Sequence, residues 1–151
     1  MKIYIDISGQ IQQINLDSSL GFMRSDGFTN AVFLSSSIKK DIFKKYKGQV
    51  TNIIEKLHCI MIYFCIKDHL NGVKEIEICR DVNFRRIKNL LPLLFKEQNY
   101  LKDISLDQRD SNSAQSLGHR VALKVHRKKK YASIIIKKET IENELFKFKK
   151  E

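Results

Sequence analysis

The most apolar stretch of the chain, residues 49–70, has the spacing of a helix and not of a strand. Its apolar side chains recur every three or four positions and nearly surround the predicted helix axis. A helix that is apolar on most sides must be buried, and we expect it to lie across a β-sheet. A shorter helical pattern precedes it, beginning at Ile38 with Ser37 as the predicted N-cap and interrupted or ended by Gly48.

Strand patterns occupy the N-terminal part of the chain. In residues 2–8, three isoleucines alternate with polar side chains, one of them Asp6, which predicts one apolar and one polar face. Residues 11–16 and 29–35 predict a second and a third strand, and the stretch between them is turn-rich. Because short connections join these strands, we expect an antiparallel meander.

Strand and helix patterns alternate in the second half of the chain. The predicted elements are a strand at 73–79, a helix at 84–97, a strand at 103–107, a helix at 113–128, a strand or short buried helix at 131–137, and a charged helix at 139–149. Pro92 falls inside the first of these helices, so a kink or break is expected there. Strands separated by helices favour right-handed parallel crossovers. We therefore predict one α/β domain over residues 1–151, a mixed sheet of about five strands with helices on both faces.

The charge of the chain favours a polyanionic partner. Lysine and arginine number 28 against 17 acidic residues, which gives a formal charge of +11. Nucleic acid is the simplest partner for such an excess. The candidates for phosphate contacts are Arg85, Arg86, Arg120, Arg127, Lys128, Lys129 and Lys130. The alternative is that these side chains form ordinary solvated faces, as lysine runs often do.

The cysteine content and the hydropathy favour a cytoplasmic protein. The three cysteines are odd in number and form no C-x-x-C pair, so neither a disulfide framework nor a zinc site is expected. Cys59 and Cys65 lie in the apolar helical segment and are expected to be core residues. The longest apolar run, 59–66, is too short to span a bilayer, and the N-terminus does not have the pattern of a signal peptide.

Two acidic residues occupy positions typical of a ligand site. Asp6 lies within the first predicted strand, on the face of Tyr4 and Ser8, and Asp81 follows the fourth strand. If these strands are parallel neighbours, the two carboxylates converge at one edge of the sheet. Converging carboxylates repel each other and require a cation, and hard oxygen ligands favour Mg²⁺ or Mn²⁺. The alternatives are that Asp6 caps a local turn and that Asp81 caps the following helix, for which Asn83 is the other candidate cap.

At this point the sequence resembles a known family. The segment MKIYIDISG is similar to the opening strand of ribonuclease-H-like nucleases. It resembles in particular an uncharacterised branch whose chains open with Tyr-Ile-Asp and continue, after one acid, with Ser-Gly. In this chain Ile7 stands in place of that acid. The predicted order of strands and helices also matches the ribonuclease-H-like pattern from residue 2 to about residue 130.

The resemblance implies four metal ligands. Asp6 and Asp81 match the first and third positions, and Glu55 on the long helix is the best match for the second. The segment SAQSLGHRVALKVHRK resembles the late helix that carries the fourth ligand, and it offers His119. The run His-Arg-Val-Ala at this position resembles the Argonaute-type arrangement. Other candidates for the fourth ligand are Asp107 and Asp110.

The functional expectation follows from this ligand set. It is a metal-dependent nuclease in which two Mg²⁺ or Mn²⁺ ions assist hydrolysis of phosphodiester bonds. The alternatives are a non-catalytic nucleic-acid-binding module on a degenerate ribonuclease-H-like fold, and a protein-interaction subunit whose charge only keeps it soluble. Residue-level alternatives remain open: Glu55 as a surface acid, Glu55 with His58 as a di-iron motif, and His119 with His126 as one face of an ordinary basic helix.

Overall fold

The computed structural model describes residues 1–79, 83–95, 101–109 and 118–150. The strands in these ranges are β1 (Lys2–Ser8), β2 (Ser18–Arg24), β3 (Thr29–Leu34), β4 (Glu75–Ile78), β5 (Ser105–Gln108) and β6 (Ile134–Ile135). The helices are α1 (Ser36–Tyr46), α2 (Ile53–Ile66), α3 (Phe84–Leu94), α4 (Gly118–Arg127) and α5 (Lys138–Leu145). Two 3₁₀ turns cover Lys129–Tyr131 and Phe146–Lys150.

The described strands form one six-stranded mixed sheet in the order β5-β4-β1-β2-β3-β6. β1, β2 and β3 form an antiparallel meander, while β4 lies parallel to β1 and β5 lies parallel to β4. β6 pairs in parallel with β3 through only two residues, so the sheet has six strands where about five were expected. The prediction of an α/β fold with a meander and parallel strands is confirmed.

One face of the sheet is apolar and carries α2. Ile3, Ile5 and Ile7 of β1 join the same buried cluster as the apolar side chains of α2. α2 contacts β2 and β3 on this face and packs beside α3. The expectation that the most apolar helix lies across a sheet is therefore confirmed, and hydrophobic burial holds this layer together.

The other face of the sheet carries α4 at unusually short range. α4 contacts β1, β2 and β3. A Cβ atom added to Gly21 of β2 would lie 2.7 Å from the backbone nitrogen of Ala122 in α4. A Cβ atom added to Gly118, the first residue of α4, would lie 2.9 Å from the carbonyl oxygen of Gly21. These two glycines allow the helix backbone to rest almost directly on the strands.

The second strand was predicted at the wrong place. Residues 11–16 form turns, and β2 lies in the stretch that follows them. The small residues of β2 resemble turn residues in the sequence. The buried ammonium group of Lys39 holds the turns, because its Nζ donates to the carbonyl oxygens of Gln10 (3.2 Å) and Gln13 (3.0 Å). β2 contains small residues because α4 passes too close for larger ones on that face.

Other element boundaries differ in smaller ways. The N-cap of α1 is Ser35 and not Ser37, since the Ser35 Oγ accepts a hydrogen bond from the backbone N–H of Ile38. α2 begins only at Ile53, because Asn52 adopts a left-handed conformation with φ of 54°. α3 continues two residues past Pro92. Within the described ranges, no helix is both long enough and apolar enough to cross a bilayer.

Candidate active site

β1 and α4 bring Asp6 and His119 together. The Oδ2 atom of Asp6 lies 3.5 Å from the Nδ1 atom of His119. The side chain of Asp6 is only 7% exposed, whereas that of His119 is 31% exposed. The backbone N–H of Ile7 donates to Asp6 Oδ1 at 2.8 Å. The carboxylate is thus held by its own strand on one oxygen and faces the imidazole with the other.

The close contact between α4 and the sheet explains this pairing. Asp6 is on the polar face of β1, where the alternation of the strand places it. α4 begins beside it at Gly118, where an added Cβ atom would lie 3.0 Å from the backbone nitrogen of Asp6. His119 is the next residue, so the missing side chain of Gly118 allows His119 to reach Asp6.

A second polar pair follows the first along the same two elements. Ser8 Oγ and His126 Nδ1 are hydrogen-bonded at 2.6 Å. Ser8 is the next residue on the polar face of β1, and His126 lies about two helical turns beyond His119 on α4. Both histidines therefore face β1. The role of Ser8 was not predicted, although its shared face with Asp6 and the spacing of the two histidines were visible in the sequence.

Glu55, the expected second ligand, has a different partner. Its Oε1 atom lies 3.1 Å from Nη1 of Arg86, so α2 and α3 are joined by an ion pair at this point. α2 packs on the apolar face of the sheet, opposite to the face on which Asp6 meets His119. His58, which shares the Glu55-x-x-His58 spacing, is buried, and this burial lowers its pKa to about 4.

In the part of the chain that the structure describes, the other predicted acidic ligands do not lie beside Asp6 and His119. Asp107 lies on β5 in register with Glu77 of β4, which in turn pairs with Tyr4 of β1. Asp107 is therefore two strand spacings, or about 10 Å, from β1. Asp107 is exposed and accepts a hydrogen bond from the hydroxyl of Ser105 at 3.3 Å. Asp81 and Asp110 lie outside the described residues.

The donors at Asp6 and His119 fit a divalent ion in chemistry and spacing, but two donors are not a complete site. A carboxylate oxygen and an imidazole nitrogen are both ligands of Mn²⁺-type ions. Two ligands at about 2.1 Å from one ion, at right angles or slightly wider, lie about 3.0–3.5 Å apart. Among the residues that the structure describes, no group of three His, Cys, Asp or Glu side chains could hold a metal ion.

The predicted phosphate contacts fall into two exposed groups. Arg85 and Arg86 lie in the first turn of α3, where Arg86 is already paired with Glu55. The second group follows α4 and the 3₁₀ turn after it, on the helix that also supplies His119. Its members, all exposed, are Arg120, Arg127, Lys128, Lys129 and Lys130.

Compared with models of protein families, with curated proteins and with solved structures, the chain matches none. The function of the chain is therefore inferred from the geometry of β1 and α4 and from the charge of the surface around them.

Proposed function

We propose that the protein is a metal-dependent nuclease that hydrolyses phosphodiester bonds of nucleic acid at Asp6 and His119. The single observation that carries this proposal is the 3.5 Å approach of these two side chains, which are distant in sequence and were both candidate ligands. The mixed sheet with its antiparallel meander and parallel strands is compatible with a ribonuclease-H-like fold. The resemblance of MKIYIDISG to the opening strand of such nucleases supports the same proposal.

Asp6 and His119 would hold a Mg²⁺ or Mn²⁺ ion, with Asp81 as a further proposed ligand. When bound, such an ion supplies activated water and stabilises the negative charge that develops on the scissile phosphate. The nearly buried carboxylate of Asp6 is fixed by the Ile7 N–H, so it holds one orientation. The ring of His119 is 31% exposed against 7% for the Asp6 side chain, so the pair is open to solvent on the histidine side.

The basic side chains beside the pair would bind the substrate. Arg120 is adjacent to His119 in the sequence and is exposed at the start of α4. The cations further along α4 and its 3₁₀ turn extend this positive surface. Such a surface neutralises phosphates, so both affinity and cleavage should fall as the salt concentration rises.

The test is cleavage of a panel of single- and double-stranded DNA and RNA in Mg²⁺ or Mn²⁺. Asp6→Asn is expected to reduce the cleavage rate at least about 100-fold, because it removes the charge that would hold the ion. Asp41→Asn is the matched control, since that carboxylate is exposed on α1 and is not a candidate ligand, and it should retain full activity. Undiminished cleavage by folded Asp6→Asn protein would overturn the proposal.

A second candidate is a non-catalytic module that binds nucleic acid. The observation that favours it is the ion pair between Glu55 and Arg86, which engages the carboxylate expected as the second ligand. Ile7, which stands in place of the acid found in the similar nucleases, also favours the non-catalytic module. Salt-dependent binding without cleavage in any divalent metal would support this candidate over the nuclease.

A further inference from the structure

A shallow depression of about 410 Å³ lies along α4, from Arg120, the residue after His119, to the 3₁₀ turn that follows the helix. Its lining, the basic–aromatic patch, consists of Arg120, Leu123, Lys124, Arg127, Lys128 and Tyr131. Four of these side chains are cations, and one is an aromatic ring. Tyr131 has no part in the site described above, and the composition of the patch therefore raises a separate question of what it binds.

Tyr131 is presented at the surface by a hydrogen-bonded turn of the chain. Its side chain is 46% exposed. The 3₁₀ turn that carries it is closed by a hydrogen bond from the Tyr131 N–H to the carbonyl oxygen of Lys128 at 3.1 Å. Two residues later the Ser133 N–H donates to the carbonyl oxygen of Ala31 in β3 at 2.9 Å, where β6 joins the sheet. The backbone that carries the ring is thus held between α4 and the edge of the sheet.

Cations surround the ring of Tyr131. Lys124 Nζ lies 4.3 Å and Lys130 Nζ lies 5.3 Å from the ring centroid. Such contacts are attractive, because the face of an aromatic ring carries partial negative charge. A flat π-system that stacked on the ring would displace one ammonium group, which is then available to bind a phosphate beside it.

The positive charge of the patch is not neutralised by the neighbouring sequence. Residues 118–138 contain no aspartate or glutamate. In the described part of the chain, none of the four cations of the patch takes part in an ion pair. An unneutralised cluster of this kind complements a polyanion, and the exposed ring adds a preference for a ligand with flat aromatic groups.

We propose that the basic–aromatic patch binds single-stranded nucleic acid, with an unpaired base stacked on Tyr131 and phosphates on the surrounding cations. A duplex hides the faces of its bases, so only an unpaired base can stack in this way. The proposal rests on the proposed function for the identity of the polymer and adds the class of substrate. Arg120 and Arg127 lie about 10 Å apart along α4, so a strand held there runs beside His119.

The test compares three fluorescent oligomers of equal length: a single strand, an abasic strand of the same charge, and a duplex with one labelled strand, whose second strand doubles the phosphate charge. Fluorescence anisotropy is measured in the absence of divalent metal. Tyr131→Ala is expected to weaken binding of the single strand about 10- to 100-fold and to leave the other two unchanged. Tyr131→Phe keeps a stacking ring and should bind the single strand within about 3-fold of the original protein.

Two further variants separate stacking from charge. Arg127→Gln should weaken binding of all three oligomers. It should also make the negative slope of log affinity against log salt shallower by about one, because one phosphate contact is lost. Phe146→Ala removes another exposed ring, which is 56% accessible and lies outside the patch. This variant should bind all three oligomers with unchanged affinity. Thermal melting of each variant confirms that it is folded before binding is measured.

Unchanged binding of the single strand by folded Tyr131→Ala protein would overturn the proposal. Equal losses for the abasic strand, or equal affinity for poly-glutamate, would also overturn it, the latter by assigning the patch to an acidic polypeptide. Its failure is distinct from that of the nuclease. If Tyr131→Ala binds the single strand normally and still cleaves with metal, only the proposal for the patch is overturned. If the original protein binds through Tyr131 but does not cleave, only the proposal of a nuclease is overturned.

Discussion

The two faces of the sheet are stabilised in different ways, although the same strands build both. On one face, Ile3 and Ile5 of β1 are fully buried in the cluster that includes α2. On the other face, Asp6 and Ser8 of the same strand meet histidines of α4. The first layer depends on a large hydrophobic area, whereas the second combines hydrogen bonds and close backbone approach with a small apolar cluster of Ala31, Phe33 and Val125.

The polar face shows what a strand must provide when a helix rests directly on it. The hydroxyl of Ser19 in β2 donates to the carbonyl oxygen of Ala122, in the middle of α4. Beside it, Gly21 leaves room for the helix backbone. Contacts of this kind contribute less free energy than apolar burial but fix the position of α4. We therefore expect stability to depend mostly on the apolar face and chemistry on the polar face.

The largest expected effect compares two neighbours in β1 that point to opposite faces. Ile5→Ala should lower the free energy of unfolding by about 3–4 kcal/mol, because it leaves a cavity in a fully buried cluster. Asp6→Asn keeps the shape and an acceptor for the Ile7 N–H, so it should cost about 1 kcal/mol or less. Urea unfolding of both variants measures the difference. Equal losses of unfolding free energy in the two variants would show that the apolar face does not contribute more to stability than the polar face.

The next effect tests the close approach of α4. Gly21→Ala would normally stabilise a strand, since alanine loses less conformational entropy than glycine. Here the added Cβ atom would meet the Ala122 backbone nitrogen at 2.7 Å, so we expect a loss of about 2–3 kcal/mol.

Gly48→Ala is the control for this prediction. Nothing lies within 4 Å of a Cβ atom at Gly48, and only its φ of 77° opposes the change. We expect a cost of about 1 kcal/mol from backbone strain. A Gly21→Ala variant that is as stable as the original protein would contradict the proposed packing of α4.

These faces also show which parts of the fold could be predicted from the sequence. The alternation in residues 2–8 and the apolar spacing of α2 depend on burial, and burial leaves a periodic pattern. The position of β2 left no such pattern. Ser19 and Gly21 satisfy the close contact with α4, and in a sequence they are indistinguishable from turn residues.

The candidate site was predictable to a similar extent. The strand pattern selected Asp6 and the resemblance added His119. The structure brings these two together, while their role as metal ligands stays a prediction. The resemblance also selected Glu55, whose pairing with Arg86 depends on how α2 and α3 pack. Periodicity shows which face of an element a residue occupies. It does not show which residue of another element it meets, and the contact of Ser8 with His126 was missed for the same reason.

The third prediction concerns a polar exception in α2, which packs on the apolar face. His58 is 3% exposed, and in the described part of the chain its Nε2 atom has no hydrogen-bond partner. Burial lowers its pKa to about 4, whereas an unfolded histidine titrates near about 6.5. Between these values the unfolded chain takes up a proton that the folded chain does not, so stability falls as the pH falls through this window.

His58→Leu should remove this contribution. We expect the original protein to lose about 2 kcal/mol more than the variant between pH 7 and pH 4.5. The variant should also be about 1 kcal/mol more stable at pH 7, since an unpaired buried polar atom is removed. Urea unfolding at both pH values measures both effects, and parallel losses in the two proteins would contradict the buried, neutral state of His58.

The smallest effect returns to the polar face. Ser8→Ala removes the hydroxyl that pairs with His126 Nδ1 at 2.6 Å and should lower the free energy of unfolding by about 1 kcal/mol. Ser105→Ala is the control, because that serine is exposed on β5 and should contribute almost nothing.

A double-mutant cycle distinguishes the Ser8–His126 hydrogen bond from the loss of either side chain by itself. Ser8→Ala, His126→Gln and the combined variant should show a coupling of about 0.5–1 kcal/mol, because the two groups are in direct contact. The same cycle with Ser105→Ala in place of Ser8→Ala should give no coupling. Because His126 lies on the same helix as His119, a measurable coupling would mean that Ser8 helps to hold α4 at the position where His119 faces Asp6. A coupling near zero would mean that α4 is positioned without Ser8, by the Ser19–Ala122 hydrogen bond, the close contacts at Gly21 and Gly118, and the apolar cluster around Val125.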